Sequence, residues 1–242
     1  MTQNASYLTA DRVIRTSMQN AGLLERGNDP SSEELADNMN RLNDLIGMLQ
    51  TQGLKLWTNS DLTIPLQTGK TVYVIGPDLS SDIVMPRPLR CANNNAYFQD
   101  AGGNQRTLTA LSRDDYTRLS NKTQQGAVNS FFWDKQQTNV QLSFWLTPDS
   151  NAALGQAHLI IQNHITYVSS LLDTINFPDE WYMALCWLLA DDISTGQPQA
   201  IMDRCMAKAQ QYRIMLEDWD TEETSTVFQP DMQMGTGYGG YR

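Results

Sequence analysis

The chain has 242 residues, of which 40% are apolar and 18% are charged, so a disordered or fibrous protein is excluded and a substantial core can be buried. Its net charge of −10, from 17 basic and 27 acidic residues, argues against tight binding to a nucleic-acid backbone, which requires clustered lysine and arginine. The longest apolar run, residues 181–190, has about half the length that a membrane helix needs. The N-terminal residues carry no secretory signal, and we therefore expect a soluble protein that is made in a cytoplasm.

Two helices are predicted at the N-terminal end of the chain. The first begins at Ala10, after a possible cap at Thr9, and ends at Gly22. The second opens with the capping-box pair Ser31 and Glu34 and continues to about residue 52. Its apolar residues recur at the spacing of one helical face: Leu35, Met39, Leu42, Leu45, Ile46 and Leu49.

A strand-rich block is predicted to follow, over residues 54–170. The apolar runs 63–66 and 71–75 flank a turn at 67–70, which predicts a hairpin, and a second hairpin is predicted around 100–104. Two prolines make 84–89 an edge or a corner rather than a central strand, and Ser112 with Asp115 can cap a short helix. Short strands with frequent turns favour an antiparallel sandwich or barrel.

Helices return at the end of the chain. One has Pro178 in its first turn, a buried stripe through Trp181 and Leu188, and Gly196 as its terminator. The last helix spans 198–219, and the residues predicted to face inward are Ile201, Met202, Cys205, Met206, Ala209, Tyr212, Leu216 and Trp219. The chain is therefore predicted to be an α+β protein. It has a four-helix bundle (8–53 and 176–220, two helices from each end), an inserted antiparallel β-sandwich or barrel module (54–170) and an extended C-terminal arm (221–242).

The last segment, 221–242, is acidic and then glycine-rich, and it has no periodicity, so it cannot fold alone. It is either a plain disordered terminus or an arm that orders against a partner, and we favour the arm. Its anchors would be Phe228, Met232, Met234, Tyr238 and Tyr241. The glycines of 235–240 match a dinucleotide-binding pattern only formally, since that pattern needs a strand before it and a helix after it, and no cofactor is expected.

No catalytic or metal site is predicted. Cys91, Cys186 and Cys205 are far apart and are interpreted as buried free thiols. His158 and His164 have even spacing, which predicts two solvated imidazoles on one face of one strand, with too few further ligands for a metal. The carboxylate pairs at 179–180 and 191–192 are interpreted as helix-end and surface residues.

Four stretches together resemble the head-to-tail adaptor proteins of short-tailed phages, the packaged-DNA stabilisation, tail accessory factor or tail tubular protein A group. They are GLKLW at 53–57, LTIPLQTGKTVYVIG at 62–76, the Arg87-Pro88 step, and FPDEWYMALCWLLADDI at 177–193 before a long helix. The resemblance covers residues 8–220 and rests on order and spacing. The long β-insert departs from the smallest members of the group, which are mostly helical, and is closer to the tail tubular protein branch.

The resemblance implies a non-enzymatic structural protein of the virion neck or tail, assembled in the host cytoplasm. Such proteins form a twelvefold ring beneath the portal protein, continue the DNA channel without specific DNA binding, and support the tail nozzle or tail tube. Residues 221–242 would then lie against the portal, and the strand block would face the tail components.

The alternative is a tail-associated carbohydrate-binding or glycan-cleaving protein, with Trp57, Trp133 or Trp145 stacking on a sugar ring and Asp134 beside Trp133. An intracellular scaffold unrelated to phage is a third, weaker possibility.

Overall fold

The computed structural model describes residues 8–51, 56–92 and 96–219, and they form a mixed α+β protein. The five α-helices of these parts are α1 (Ala10–Asn20), α2 (Ser32–Thr51), α3 (Arg113–Arg118), α4 (Tyr182–Ile193) and α5 (Gln199–Trp219). Within the same residues, no helix combines the length and the apolar character needed to cross a membrane.

In the described residues between α2 and α4 there are twelve short strands. They are β1 (Asn59–Pro65), β2 (Val72–Gly76), β3 (Ile83–Val84), β4 (Arg90–Cys91), β5 (Tyr97–Gln99), β6 (Gln105–Thr107), β7 (Thr109–Leu111), β8 (Gln125–Gly126), β9 (Ser130–Lys135), β10 (Val140–Trp145), β11 (Thr147–Pro148) and β12 (Gln156–Gln162). The first sheet has the order β1-β12-β5-β6, with β4 also paired to β12, and the second has the order β3-β2-β10-β9-β7. Strands β8 and β11 form a short parallel pair.

Several local predictions are confirmed because they depend on hydrogen bonds between near neighbours in sequence. The backbone N–H of Ser31 donates to Glu34 Oε2 at 2.8 Å and the N–H of Glu34 donates to Ser31 Oγ at 3.2 Å, which is the expected capping box at the start of α2. At α3 the N–H of Asp115 donates to Ser112 Oγ, so Ser112 caps that helix as expected. The hairpin around 100–104 forms between β5 and β6, and β3 is the edge strand expected from the prolines after it.

The predicted hairpin across 63–75 is wrong. The turn exists, with the N–H of Lys70 donating to the carbonyl of Gln67 at 3.1 Å and Gly69 at a φ of 76°. However, β1 pairs with β12 in the first sheet and β2 pairs with β10 in the second. The alternation of apolar residues specifies which face of each strand is buried, but the partner strands are supplied by residues far along the chain.

The described residues have two separate hydrophobic clusters. One is built by α1, α2, α4, α5 and the segment that returns to α4, and its aromatic centre is Trp57 against Phe177 and Trp181, with ring centroids 5.6 and 5.2 Å away. The other contains inward residues of both sheets, including the fully buried Phe131 and Phe144. We call the first group of elements the helical region and the second the β-region.

Helix α4 is the centre of the helical region, since it packs against α1, α2 and α5. Helix α5 contacts α4 through one face, on which Cys205, Ala209 and Leu216 are buried. Met206 was predicted to face inward, and that prediction is wrong: its side chain is 56% exposed. The inward set was drawn too wide because α4 covers only one face of α5. The side chain of Trp219 lies outside the described residues.

Two side-chain amides of α2 hold the segment that leaves the β-region. Asn43 Nδ2 donates to the carbonyl of Val168 at 2.9 Å, and the N–H of Val168 donates to Asn43 Oδ1 at 2.8 Å. Gln50 makes the same reciprocal pair with Ile165 at 3.3 Å. These amides satisfy backbone groups that are not in any sheet, and so they fix the segment that leaves the β-region against the helices.

Candidate functional site

The predicted anchors of the C-terminal arm cannot be placed in the fold. Phe228, Met232, Met234, Tyr238 and Tyr241 all lie outside the described residues, as do the glycines of 235–240. The described part of the chain has a groove on the helical region that is a candidate for binding a macromolecule.

The groove, which we call the helical groove, lies between α2 and α5 and is floored by α4. It encloses about 640 Å³. Its lining residues are Arg41, Asp44, Leu45, Met48, Leu188, Asp191, Asp192 and Arg213. On α2 these residues follow the spacing i, i+3, i+4, i+7, and on α4 they follow i, i+3, i+4, so each helix presents one continuous face to the groove.

The groove has an apolar strip and a charged rim. Met48 is 42% exposed and stands beside Leu45 and Leu188, which close the floor. At the rim, Arg41 Nη1 lies 2.9 Å from Asp192 Oδ2, and both side chains are about half exposed, so this ion pair contributes little to the stability of the fold. An apolar strip with a polar rim is the surface expected of a site that receives a helix of another chain.

The apolar surface continues along α5. Met206 precedes Arg213 by seven residues, which is about two helical turns, so both lie on the side of α5 that borders the groove. Ile214 and Met215 are each 57% exposed farther along the same helix. The last helix therefore leaves large apolar side chains in water on the surfaces that α4 does not cover.

Asp191 is the groove residue with the least favourable position for its charge. Burial raises the pKa of its carboxyl group, and the neighbouring charge of Asp192 raises that pKa further. The position near the C-terminal end of α4 adds an unfavourable interaction with the helix dipole. The ionised carboxylate of Asp191 therefore lowers the stability of the isolated chain.

Replacing Asp191 with Asn is expected to stabilise the isolated protein at pH 7, by up to about 1 kcal/mol. A carboxyl group with a raised pKa in the folded state costs stability as pH rises from its ordinary value through the raised one. The gain should therefore disappear when the pH falls below about 3.8, the ordinary pKa. Thermal unfolding at several pH values measures this difference. The matched control is Asp37→Asn on the exposed side of α2, and an equal gain there would show that net charge alone is responsible.

The aromatic residues considered for sugar stacking mostly pack or hydrogen-bond within the protein. Trp57 belongs to the helical cluster, and Trp133 is half-buried against the β-region cluster. Trp145 Nε1 donates to the carbonyl of Asn121 at 3.1 Å. Asp134, which was considered as a carboxylate beside Trp133, accepts hydrogen bonds from Arg113 and from Gln136.

The two histidines do not share a strand face, and the prediction of two solvated imidazoles is wrong for His158. Its side chain is buried and stacks on Tyr97 at 4.6 Å between ring centroids, and its Nδ1 lies 3.3 Å from Asp61 Oδ2. β12 ends at Gln162, so His164 lies beyond it and contacts Tyr167 instead. The even spacing was misleading because the strand is shorter than its apolar pattern.

The three cysteines are buried and free, as predicted. Burial raises the pKa of the Cys91 and Cys186 thiols to about 12, so thiolate chemistry at neutral pH is suppressed at both. In the parts of the chain that the structure describes, no three His, Cys, Asp or Glu residues come together as a metal site would require.

Met48 and Arg213 are groove residues that the sequence analysis did not single out. Met48 follows Leu45 by three residues but lies beside the predicted apolar stripe of α2. A large apolar residue outside that stripe is the signal that could have identified it.

No protein-family model matches the chain, and a search of curated proteins finds no match.

Proposed function

We propose that the protein is a structural head-to-tail adaptor of a short-tailed phage, without enzymatic activity and located in the neck or tail of the virion. The observation that carries the proposal is the open helical groove with its apolar strip, bordered by the exposed apolar residues of α5. The resemblance to the head-to-tail adaptor proteins, in the order and spacing of the elements, also supports the proposal.

In this proposal the helical groove is one half of the contact between neighbouring copies in a ring. The groove is one patch on the protomer and the helix it receives is another, so the contact is heterologous, and it closes into a ring when the rotation per subunit permits. The ring is twelvefold beneath the portal protein, in accordance with the adaptor group that the sequence resembles.

The proposal also assigns roles to the four-helix bundle and to the two sheets. Helices α1, α2, α4 and α5 would act as one four-helix bundle whose open side is completed by the neighbouring subunit. The two sheets, which contribute to one hydrophobic cluster, would act as an inserted sandwich directed at the tail nozzle or tail tube. Leu79 and Leu154, which are 94% and 72% exposed on β-region loops, are the side chains we expect to contact that component.

The charge of the chain is compatible with a channel for packaged DNA. At a net charge of −10, a ring of such subunits repels the phosphate backbone, so the duplex slides through without specific binding. A protein that gripped DNA would slow ejection of the genome.

Deleting residues 221–242 tests the proposed contact with the portal. We expect the shortened protein to fold, because residues 8–219 already form two hydrophobic clusters, and to lose attachment to the portal ring in a pull-down. Alanine at Phe228, Met232 and Tyr238 together should have the same effect with the chain length unchanged. Unchanged attachment, together with a full-length chain that joins no ring, would refute the adaptor proposal.

A further inference from the structure

We infer that the helix received by the helical groove is α5 of a neighbouring copy of this chain. It enters with one side, which we call the α5 flank and which is formed by Arg204, Lys208, Gln211 and Met215. The inference rests on the proposed ring, and it names the partner of the same groove.

The α5 flank is one continuous row on the helix surface. Its members follow one another at spacings of four, three and four residues, and residues at these spacings are neighbours on an α-helix. All four side chains are exposed, and that of Met215 is 57% exposed. The flank therefore offers two cations, an amide and a large apolar side chain to a second molecule.

The α5 flank and the helical groove lie on opposite sides of α5. Arg213 lines the groove, and Met215 is two residues farther on, which is about 200° around the helix. The end of α1 borders the flank, because Arg204 Nη2 donates to the carbonyl of Asn20 at 2.6 Å, whereas α2 borders the groove. A heterologous ring contact needs such an arrangement, since each subunit offers one patch to one neighbour and the other patch to the next.

The two surfaces have complementary charges. The groove lining contains three carboxylates and two guanidinium groups. Asp192 is paired with Arg41, but within the described ranges no cation forms an ion pair with Asp191, whose charged form is disfavoured by burial and by Asp192. On the flank, Lys208 Nζ donates to Gln211 Oε1 at 3.1 Å and meets no described carboxylate. Lys208 of the neighbour therefore supplies the counter-charge that Asp191 lacks.

The apolar parts of the two surfaces also match. Met215 on the flank and Met48 in the groove are 57% and 42% exposed, and the contact would bury both. Methionine side chains adapt to an irregular partner surface, and an apolar centre inside a charged rim is typical of subunit contacts.

Serine in place of Met215 is expected to weaken ring assembly roughly fivefold, because the apolar area buried against Met48 is lost. The matched control is Ile214→Ser, which removes an equally exposed apolar side chain that points about 100° away from the flank. Sedimentation of both variants measures the difference. An equal loss in the control would contradict the assignment of the contact to the flank.

Charge reversal gives the sharpest test. Asp191→Lys changes the groove and leaves the flank intact, and Lys208→Asp does the opposite. Each variant alone should assemble more weakly than the parent, on the order of tenfold or more, because like charges then face each other. In an equal mixture every contact can join a lysine to an aspartate, so a ring with alternating variants should form. With one variant labelled with nitrogen-15, native mass spectrometry should count equal numbers of both.

The control for these reversals is Lys135→Asp, the same change at an exposed position of β9, which should assemble as the parent does. Circular dichroism checks that each variant folds. The inference is overturned if the mixture stays unassembled or if Lys208→Asp assembles like the parent, and the proposed ring survives the latter result. A parent chain that forms no ring, alone or on the portal, refutes the adaptor proposal together with the inference.

Discussion

Lysine in place of Met48 is expected to abolish ring assembly while the protomer keeps its fold. Met48 is 42% exposed at the centre of the helical groove, so the isolated chain loses little when it becomes polar. A neighbouring subunit would bury the 42% of its surface that is still exposed, and since complete burial of a methionine is worth about 1.5–3 kcal/mol, this part contributes about 1 kcal/mol to the contact. Loss of that burial together with an unpaired buried ammonium weakens each contact on the order of 100-fold or more.

Analytical ultracentrifugation of the parent and the Met48→Lys variant measures this effect, and circular dichroism checks the fold. The matched control is Leu154→Lys, which replaces another exposed apolar side chain on the β-region, 72% exposed, and should assemble as the parent does. If the Met48→Lys variant forms the same ring, the groove is not the subunit contact. If both variants fail, general charge repulsion is the cause.

Alanine in place of Asn43 is expected to lower the free energy of unfolding by about 2–4 kcal/mol. The substitution removes both hydrogen bonds to Val168 and leaves the backbone N–H and carbonyl of that residue without partners in a partly buried position. For a chain of this size, each kcal/mol lowers the Tm by roughly 2–4 °C. The loss should affect the helical region and the β-region together, because Val168 belongs to the segment that joins them.

The control for Asn43→Ala is Asn40→Ala, the same change at an exposed position of the same helix. Denaturant unfolding should place the control within about 0.5 kcal/mol of the parent, since surface substitutions rarely do more. An effect at Asn43 no larger than at Asn40 would mean that water replaces the amide at no cost. The two regions would then be joined by apolar packing alone.

The parts of the fold that were predictable are those decided by near neighbours. Gly22 takes a φ of 71° after α1 and Gly196 a φ of 92° after α4, so both glycines mark helix ends as expected. The capping pair of Ser31 and Glu34 and the cap at Ser112 depend on contacts three residues apart. These local features need no knowledge of the rest of the chain.

The parts that failed depend on distant residues. Thr63 pairs with His158 rather than with a residue across its own turn, and no local pattern carries that choice. The same pairing buries His158, which an even spacing alone placed in water. Met206 was assigned to the core because its spacing fits a helix face, but α4 covers a different face of α5, and Met206 is 56% exposed.

Of the helical groove, only the residues of its floor could be predicted from the sequence. Leu45 and Leu188 were recognised as members of apolar stripes, but the opening above them depends on how α2 and α5 are placed around α4.

The most direct test of the adaptor proposal is native mass spectrometry of the full-length protein mixed with the portal ring of the same phage. The proposal predicts a complex with about one copy per portal subunit, which is lost when the chain is shortened at Asp220. A protein that stays monomeric and leaves the mass of the portal ring unchanged would contradict it.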